Sequence, residues 1–175
     1  KLGFPAGLQT LAEVSTFAVA GLLIGAFGAE SLAAHQIALN VSGMSFMIPL
    51  GISMALTVRI GETQGDRARQ LSIVKSGWCI TLLSSCSTAL IFILAGDIIA
   101  SWFIEEVEII KLAAALLFVA AIFQIVDGLQ VASTGLLRGL HDTQIPALIA
   151  IISYWVIGVP SGYILAHSFG FEARG

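Results

Sequence analysis

Two carboxylates, Glu13 and Asp127, stand inside stretches of apolar residues long enough to cross a bilayer. An acidic side chain at the centre of a membrane helix costs about 2.5–3.5 kcal/mol on insertion scales, and such a residue marks a functional site by default. The chemistry open to the pair is narrow. A carboxyl group held among apolar helices keeps its proton more firmly than one in water, and two carboxyls at one depth oppose each other's ionisation. Proton binding and release is therefore one use. When ionised, the same oxygens suit a hard cation such as sodium, with Glu13 and Asp127 as its anionic ligands, or they pair with an organic cation.

Polar neighbours recur around both acids at helical spacing. Gln9, Thr10, Glu13 and Thr16 fall three or four residues apart, as do Gln124, Asp127, Gln130, Thr134 and Arg138. A third stripe follows Gln36, Asn40, Gly43 and Met47. These three faces are expected to converge on one cavity, where Thr10, Asn40 or Gln124 can complete a cation's oxygen shell and Gln36 lies on the same lining. Interhelical hydrogen bonding is the plainer reading of each polar residue taken singly, and it returns about 0.6–2 kcal/mol per bond. That is less than a buried acid costs, so the carboxylates call for a function more than the amides do.

Five spans must position these residues: 5–27, 32–58, 77–94, 112–137 and 145–166. Hydrophobic residues make up 57% of the chain and charged residues 11%, against about 25% charged in an ordinary soluble domain. A membrane protein follows. Continuous apolar runs lack the alternation of barrel strands, and a backbone in lipid must pair its own polar groups. The expected fold class is thus all-α, a polytopic transmembrane helix bundle. A net charge of −3, with basic residues gathered at one membrane face, excludes a nucleic-acid partner.

Lysine and arginine set the orientation. Lys1, then Arg59, Arg67, Arg69 and Lys75, then Arg138 share one side, and only Lys111 and Arg174 occupy the other. The Lys1 end is expected to be cytoplasmic. Counting about 1.5 Å per residue from that side, Glu13 lies roughly 18 Å from Lys1 and Asp127 roughly 16 Å from Arg138, close to the midplane. Trp102 and Phe103, beside Glu105, Glu106 and Glu108, read as interfacial anchors on a short surface helix before the fourth span. His35 lies near the outer interface as a solvated or helix-end residue. An odd number of spans between Lys1 and the turn at Phe171–Gly175 predicts a part of a larger bundle.

The remaining features read as structural. Gly3/Gly7, Gly21/Gly25 and Gly135/Gly139 permit close helix approach. Pro49 must free a carbonyl and bend the second span, while Asp142 and Thr143 before Pro146 begin the fifth. Cys79 and Cys86, seven apart on one helix face, are expected to be buried, inert thiols. Met44, Met47 and Met54 are expected to serve ordinary packing, with a soft drug-binding wall as the alternative.

Several of these segments together resemble a known family. L-A-A-H-Q-I-A-L-N from Leu32 to Asn40, P-L-G-I-S-M-A from Pro49 to Ala55, V-R-I-G from Val58 to Gly61, and F-Q-I-V-D-G-L-Q ending in L-R-G-L-H-D-T-Q-I-P are similar to multidrug and toxin extrusion (MATE) transporters, specifically the NorM-like bacterial branch. The resemblance implies twelve helices in two lobes, of which this chain supplies the first five of the second. The N-terminal lobe and the sixth helix of this lobe are then partners lying outside the chain. It further implies a secondary active exporter in the bacterial plasma (inner) membrane, not an enzyme, which exchanges protons or sodium for small, often cationic organic compounds without a cofactor. Glu13 and Asp127 correspond to the cation-coupling acids of that branch. Phe123 stands one turn before Asp127, where some relatives carry tyrosine, so a possible oxygen ligand is missing.

Two other functions fit parts of the pattern. A flippase for lipids or lipid-linked saccharides of the same superfamily would share the bundle but calls for more basic residues around an anionic headgroup. An intramembrane aspartyl protease also uses two buried acids, but here one is a glutamate and the G-x-G-D sequence of one such group is absent.

Overall fold

The computed structural model describes residues 3–25, 28–63, 65–158 and 160, and among them every regular element is helical. Five α-helices follow in order: α1 (Gly3–Gly25), α2 (Ala29–Gly61), α3 (Arg67–Ser101), α4 (Val107–Gly139) and α5 (Gln144–Ile151), the last continuing as a π-helical stretch, Ile152–Gly158. Lys1, Arg174, residues 161–166 of the expected fifth span and the Phe171–Gly175 turn lie outside the described residues.

Helices α2, α3 and α4 are each long and apolar enough to span a membrane. At 35 residues α3 is about 52 Å long, well beyond a hydrocarbon core of about 30 Å. Its ends therefore stand in the headgroup layers, with Arg67, Arg69 and Lys75 on its first turns and Asp97 near its last. The expected third span, 77–94, marked only the charge-free middle of this helix. The same extension removes the surface helix expected around Trp102. Helix α3 runs to Ser101, and the chain turns through Trp102–Glu106 directly into α4. Trp102 and Phe103 are exposed in that turn.

Capping residues fix the ends. Asp66 Oδ1 accepts from Arg69 N at 3.0 Å to start α3, and Asp142 Oδ1 accepts from Gln144 N and Ile145 N at 3.2 and 3.3 Å to start α5. Asp142 alone caps α5, because Thr143 makes no side-chain cap. At the end of α4, His141 takes a left-handed conformation with φ of 64°. Its N–H donates to Arg138 O at 3.0 Å, and that of Asp142 donates to Leu137 O at 2.9 Å, the paired closure that usually recruits glycine.

Helix α4 is the hub, lying against α2 and α3, while α1 pairs chiefly with α5 and meets α2 less extensively. Small residues make the central approach possible. The α3 face turned inward is Gly77, Thr81, Ser85, Ala89, Phe92, Gly96 and Ala100, and a Cβ on Gly139 would lie 2.7 Å from Thr57 O. Gly135 sits against Ser53 in the same way. Gly7 and Gly21 do not repeat this, since nothing lies within 4 Å of where their Cβ atoms would be. The pattern of two glycines four apart is common to all three pairs, and only a facing helix makes it a contact.

Apolar clusters alternate with a polar layer along the bundle. Ala34, Ile37, Ala100, Ile109 and Ala113 form one cluster, Ala38, Ala89, Phe92, Leu117 and Ala121 a second, and Leu56, Ile60, Ala132 and Leu136 a third. The outward faces carry large apolar side chains such as Leu83, Leu94, Ile122 and Val126, each more than half exposed. In water such a surface would aggregate; on these helices it is the face offered to lipid or to further helices. Cys79 and Cys86 lie on it, free and exposed, instead of buried as their apolar surroundings suggested.

Candidate functional site

The site begins with Asp127, which is 8% exposed on the α4 face turned into the bundle. Its burial follows from the residues next to it on that face. Gly128 lies against the Ser85 hydroxyl of α3, leaving no room for a side chain, so α3 comes close beside the acid. One turn earlier Gln124 Nε2 donates to Thr88 Oγ1 at 2.5 Å, and Ser45 Oγ of α2 donates to Gln124 Oε1 at 2.9 Å. One amide thus ties three helices in the turn that precedes Asp127. Farther along, Ser53 Oγ donates to Val131 O at 2.8 Å and Thr57 Oγ1 to Gly135 O at 2.9 Å, which bind α2 to α4. Ser45 is four residues before Pro49, so the proline leaves its carbonyl without the usual helical N–H. The interruption in α2 coincides with its tie to Gln124.

Glu13 is held differently. It is half-buried and accepts a hydrogen bond from Gln9 Nε2 at 2.9 Å, while the other end of the Gln9 amide, Oε1, accepts from Arg138 Nη2 at 3.3 Å. A neutral amide therefore bridges a carboxylate on α1 and a guanidinium on α4. Gln9 is itself 4% exposed. This places Gln9 of α1 beside Arg138 near the end of α4. Trp155, on the π-helical continuation of α5, donates from Nε1 to Ala12 O at 3.2 Å and supports α1 beside the acid.

The polar stripes of α1 and α4 are thus brought together, with Thr10 exposed and Thr134 buried on them. The α2 stripe is not part of that meeting. Ile37 and Ala38 are the residues buried in this part of α2, which turns Gln36, Asn40, Gly43 and Met47 to the exposed side of the helix. Of the three faces expected to converge, those of α1 and α4 are linked through the Gln9–Arg138 hydrogen bond. Met44, Met47 and Met54 are 74%, 60% and 62% exposed and do no packing here. Phe123 is 47% exposed. Gln124, expected as a cation contact, has both ends of its amide engaged as an interhelical tie. Among the described residues no three His, Cys, Asp or Glu side chains gather as a metal site.

The α3 contribution lay outside the sequence reading. Thr81, Ser85 and Thr88 recur at four- and three-residue steps, the same signal that marked α1 and α4, but without a charged member to draw notice. Trp155 carried no periodic signal, because its role depends on how the end of α5 packs. His35 also departs from expectation. It is half-buried in the second turn of α2, and its Nε2 is enclosed without a partner among the described residues.

Sequence comparisons agree with this architecture. The MatE family profile matches residues 5–164. "Probable multidrug resistance protein NorM" of Xylella fastidiosa is 42% identical over 100% of this chain and 38% of its own length. The protein of the same name from Agrobacterium fabrum is 41% identical over 100% of the chain and 39% of its length. "Multidrug resistance protein MdtK" of Proteus mirabilis is 39% identical, covering 99% and 39% respectively. The chain thus spans about two-fifths of the length of these relatives.

Proposed function

Because the chain belongs to the MatE family, we propose that it forms part of a secondary active multidrug exporter. In this reading Glu13 and Asp127 exchange protons or sodium ions for small, chiefly cationic organic compounds. The observation that supports it is that Asp127 is buried on α4 while Glu13 is linked through Gln9 to Arg138 of that helix. The resistance-protein names of the relatives support the export of drugs. The assembly is a two-lobed, twelve-helix bundle in a bacterial inner membrane, with the Lys1 end in the cytoplasm. The exposed α2 stripe of Gln36, Asn40 and Met47 then faces the cleft between lobes.

The acids couple by competition. A ligand shifts a conformational equilibrium only through its differential affinity for the two states, so cation and drug must favour opposite openings of the cleft. Protonation of Glu13 weakens it as an acceptor for Gln9 and loosens the tie between α1 and α4. A drug cation restores a negative site by displacing the proton. Exchanging one proton for one monovalent cation moves no net charge, so a pH gradient drives it at about 1.4 kcal/mol per unit. Membrane potential, about 2.3 kcal/mol per charge at 100 mV, contributes only for neutral substrates or additional coupling ions.

Dye efflux from vesicles containing the full-length protein tests this reading under a proton gradient and then a sodium gradient. Gradient-driven efflux is expected in the unmodified protein and lost in both Glu13→Gln and Asp127→Asn. Full activity in both variants refutes it, and cleavage of a membrane peptide would replace it with a protease.

A further inference from the structure

We propose that the groove between α2 and α3 at their Arg59/Arg69 end binds one anionic phospholipid. The proposal needs only that these helices cross a membrane, and it stands apart from the export reading.

The groove exists because of one contact. Leu56 of α2 seats directly on Gly77 of α3, where a Cβ would lie 2.5 Å from the leucine Cδ2. On one side of this contact the helices leave a cavity of about 410 Å3, the size of a small-molecule site. Ile52 and Ala55 wall it from α2, and Ile73 and Ile80 from α3. Ala55 and Ile80 are exposed, so the slot opens sideways from the bundle. The neutral polar residues lining the cavity are Thr63, Ser72 and Ser76.

Its rim has the opposite character. Arg59, in the last turn of α2, and Arg69, in the first turn of α3, line this end of the cavity together with Glu62. Both arginines are exposed, and neither guanidinium has a hydrogen-bond or ion-pair partner among the described residues. Arg67 and Lys75 add positive charge to the same end of α3. An apolar slot that opens toward acyl chains and ends in two uncommitted guanidiniums, at the level where a long helix leaves the hydrocarbon, matches the order of an anionic lipid from tail to headgroup. Guanidinium forks suit phosphate oxygens, and basic pockets between membrane helices are recognised lipid headgroup sites. A zwitterionic lipid would bring its own cation beside the two arginines and lose the advantage.

Native mass spectrometry of the full-length protein titrated with phosphatidylglycerol or phosphatidylcholine tests the proposal. One phosphatidylglycerol is expected to be retained with about 30-fold preference, the value two surface arginines give together. Arg59→Gln with Arg69→Gln should abolish the preference, Glu62→Gln should strengthen it, and Ala55→Trp should block the slot while leaving the charges in place. All four positions are exposed, so folding is not at stake, and the gain from Glu62→Gln cannot come from misfolding. Equal retention of both lipids overturns the proposal. So does an unchanged preference in the arginine pair, no retention at all because further protein covers the groove, or equal competition by inorganic phosphate, which would make it a free-anion site.

Discussion

Helix α4 meets its neighbours along two seams of contrasting construction. Against α2 and α3 it uses glycine, serine and threonine at distances that leave no room for a methyl group, with hydroxyls and one amide bonded across. Against α1 it uses one long arginine reaching a glutamine, and α1 is otherwise steadied by α5 and Trp155. The first seam makes a rigid body that carries Asp127. The second makes a joint, and Glu13 stands beside it. The exporter proposed above would need such a division, because packed interfaces resist continuous deformation while long polar side chains re-pair cheaply.

The largest expected effect separates the seams by a single substitution made twice. Gly135→Ala pushes a methyl group onto Ser53 and should destabilise the full-length protein by about 1–3 kcal/mol. Gly21→Ala, in open space, should change stability by less than about 0.5 kcal/mol. Thermal unfolding in detergent reads both, and equal losses would erase the distinction.

Gln124→Leu should come next, at about 1 kcal/mol, since two interhelical bonds of roughly 0.6 kcal/mol each are removed. The same unfolding measurement applies. Asp127 should then become more accessible, which faster reaction with a carboxyl-directed reagent would register.

Arg138→Met should cost less, under about 1 kcal/mol for a partly solvated tie, yet it should change motion. Electron–electron distance distributions between spin labels at Val14 and Val126 are expected to broaden, whereas those between Met47 and Val126 stay as they were. Broadening of both pairs would mean that the second seam is no joint. Smallest of all, Trp155→Phe keeps an aromatic ring while removing the indole N–H and its one hydrogen bond to Ala12 O, about 0.5 kcal/mol. Its signature should be faster amide exchange confined to α1 around Ala12–Thr16.

The two seams differ as much in how far the residues alone disclosed them. Membrane helices and buried acids are legible because they rest on local quantities, namely run length, charge cost and three- or four-residue spacing. Glu13, Asp127 and the stripes around them were singled out in that way, and Asp127 is buried. Which way a stripe faces is not local. Gln36 and Asn40 have the same spacing as Gln9 and Glu13, but Ile37 and Ala38 outbid them for the α4 contact and turn them outward. Gln124 shows a related limit, because spacing identifies a polar residue on the inner face without telling whether its amide will be free or spent on neighbours. Helix ends lie beyond the span ends for another reason. The charges of Arg67, Arg69 and Asp97 end an apolar run, but they do not end a helix, which continues into the headgroup layer on its own hydrogen bonds.

Equilibrium binding of a fluorescent organic cation to the full-length protein, repeated as acid or sodium is added, bears most directly on the role of the two acids. Affinity should fall as either competing cation rises, and it should become insensitive to both in the Glu13→Gln, Asp127→Asn double variant. Identical sensitivity in the unmodified protein and the double variant would contradict the account.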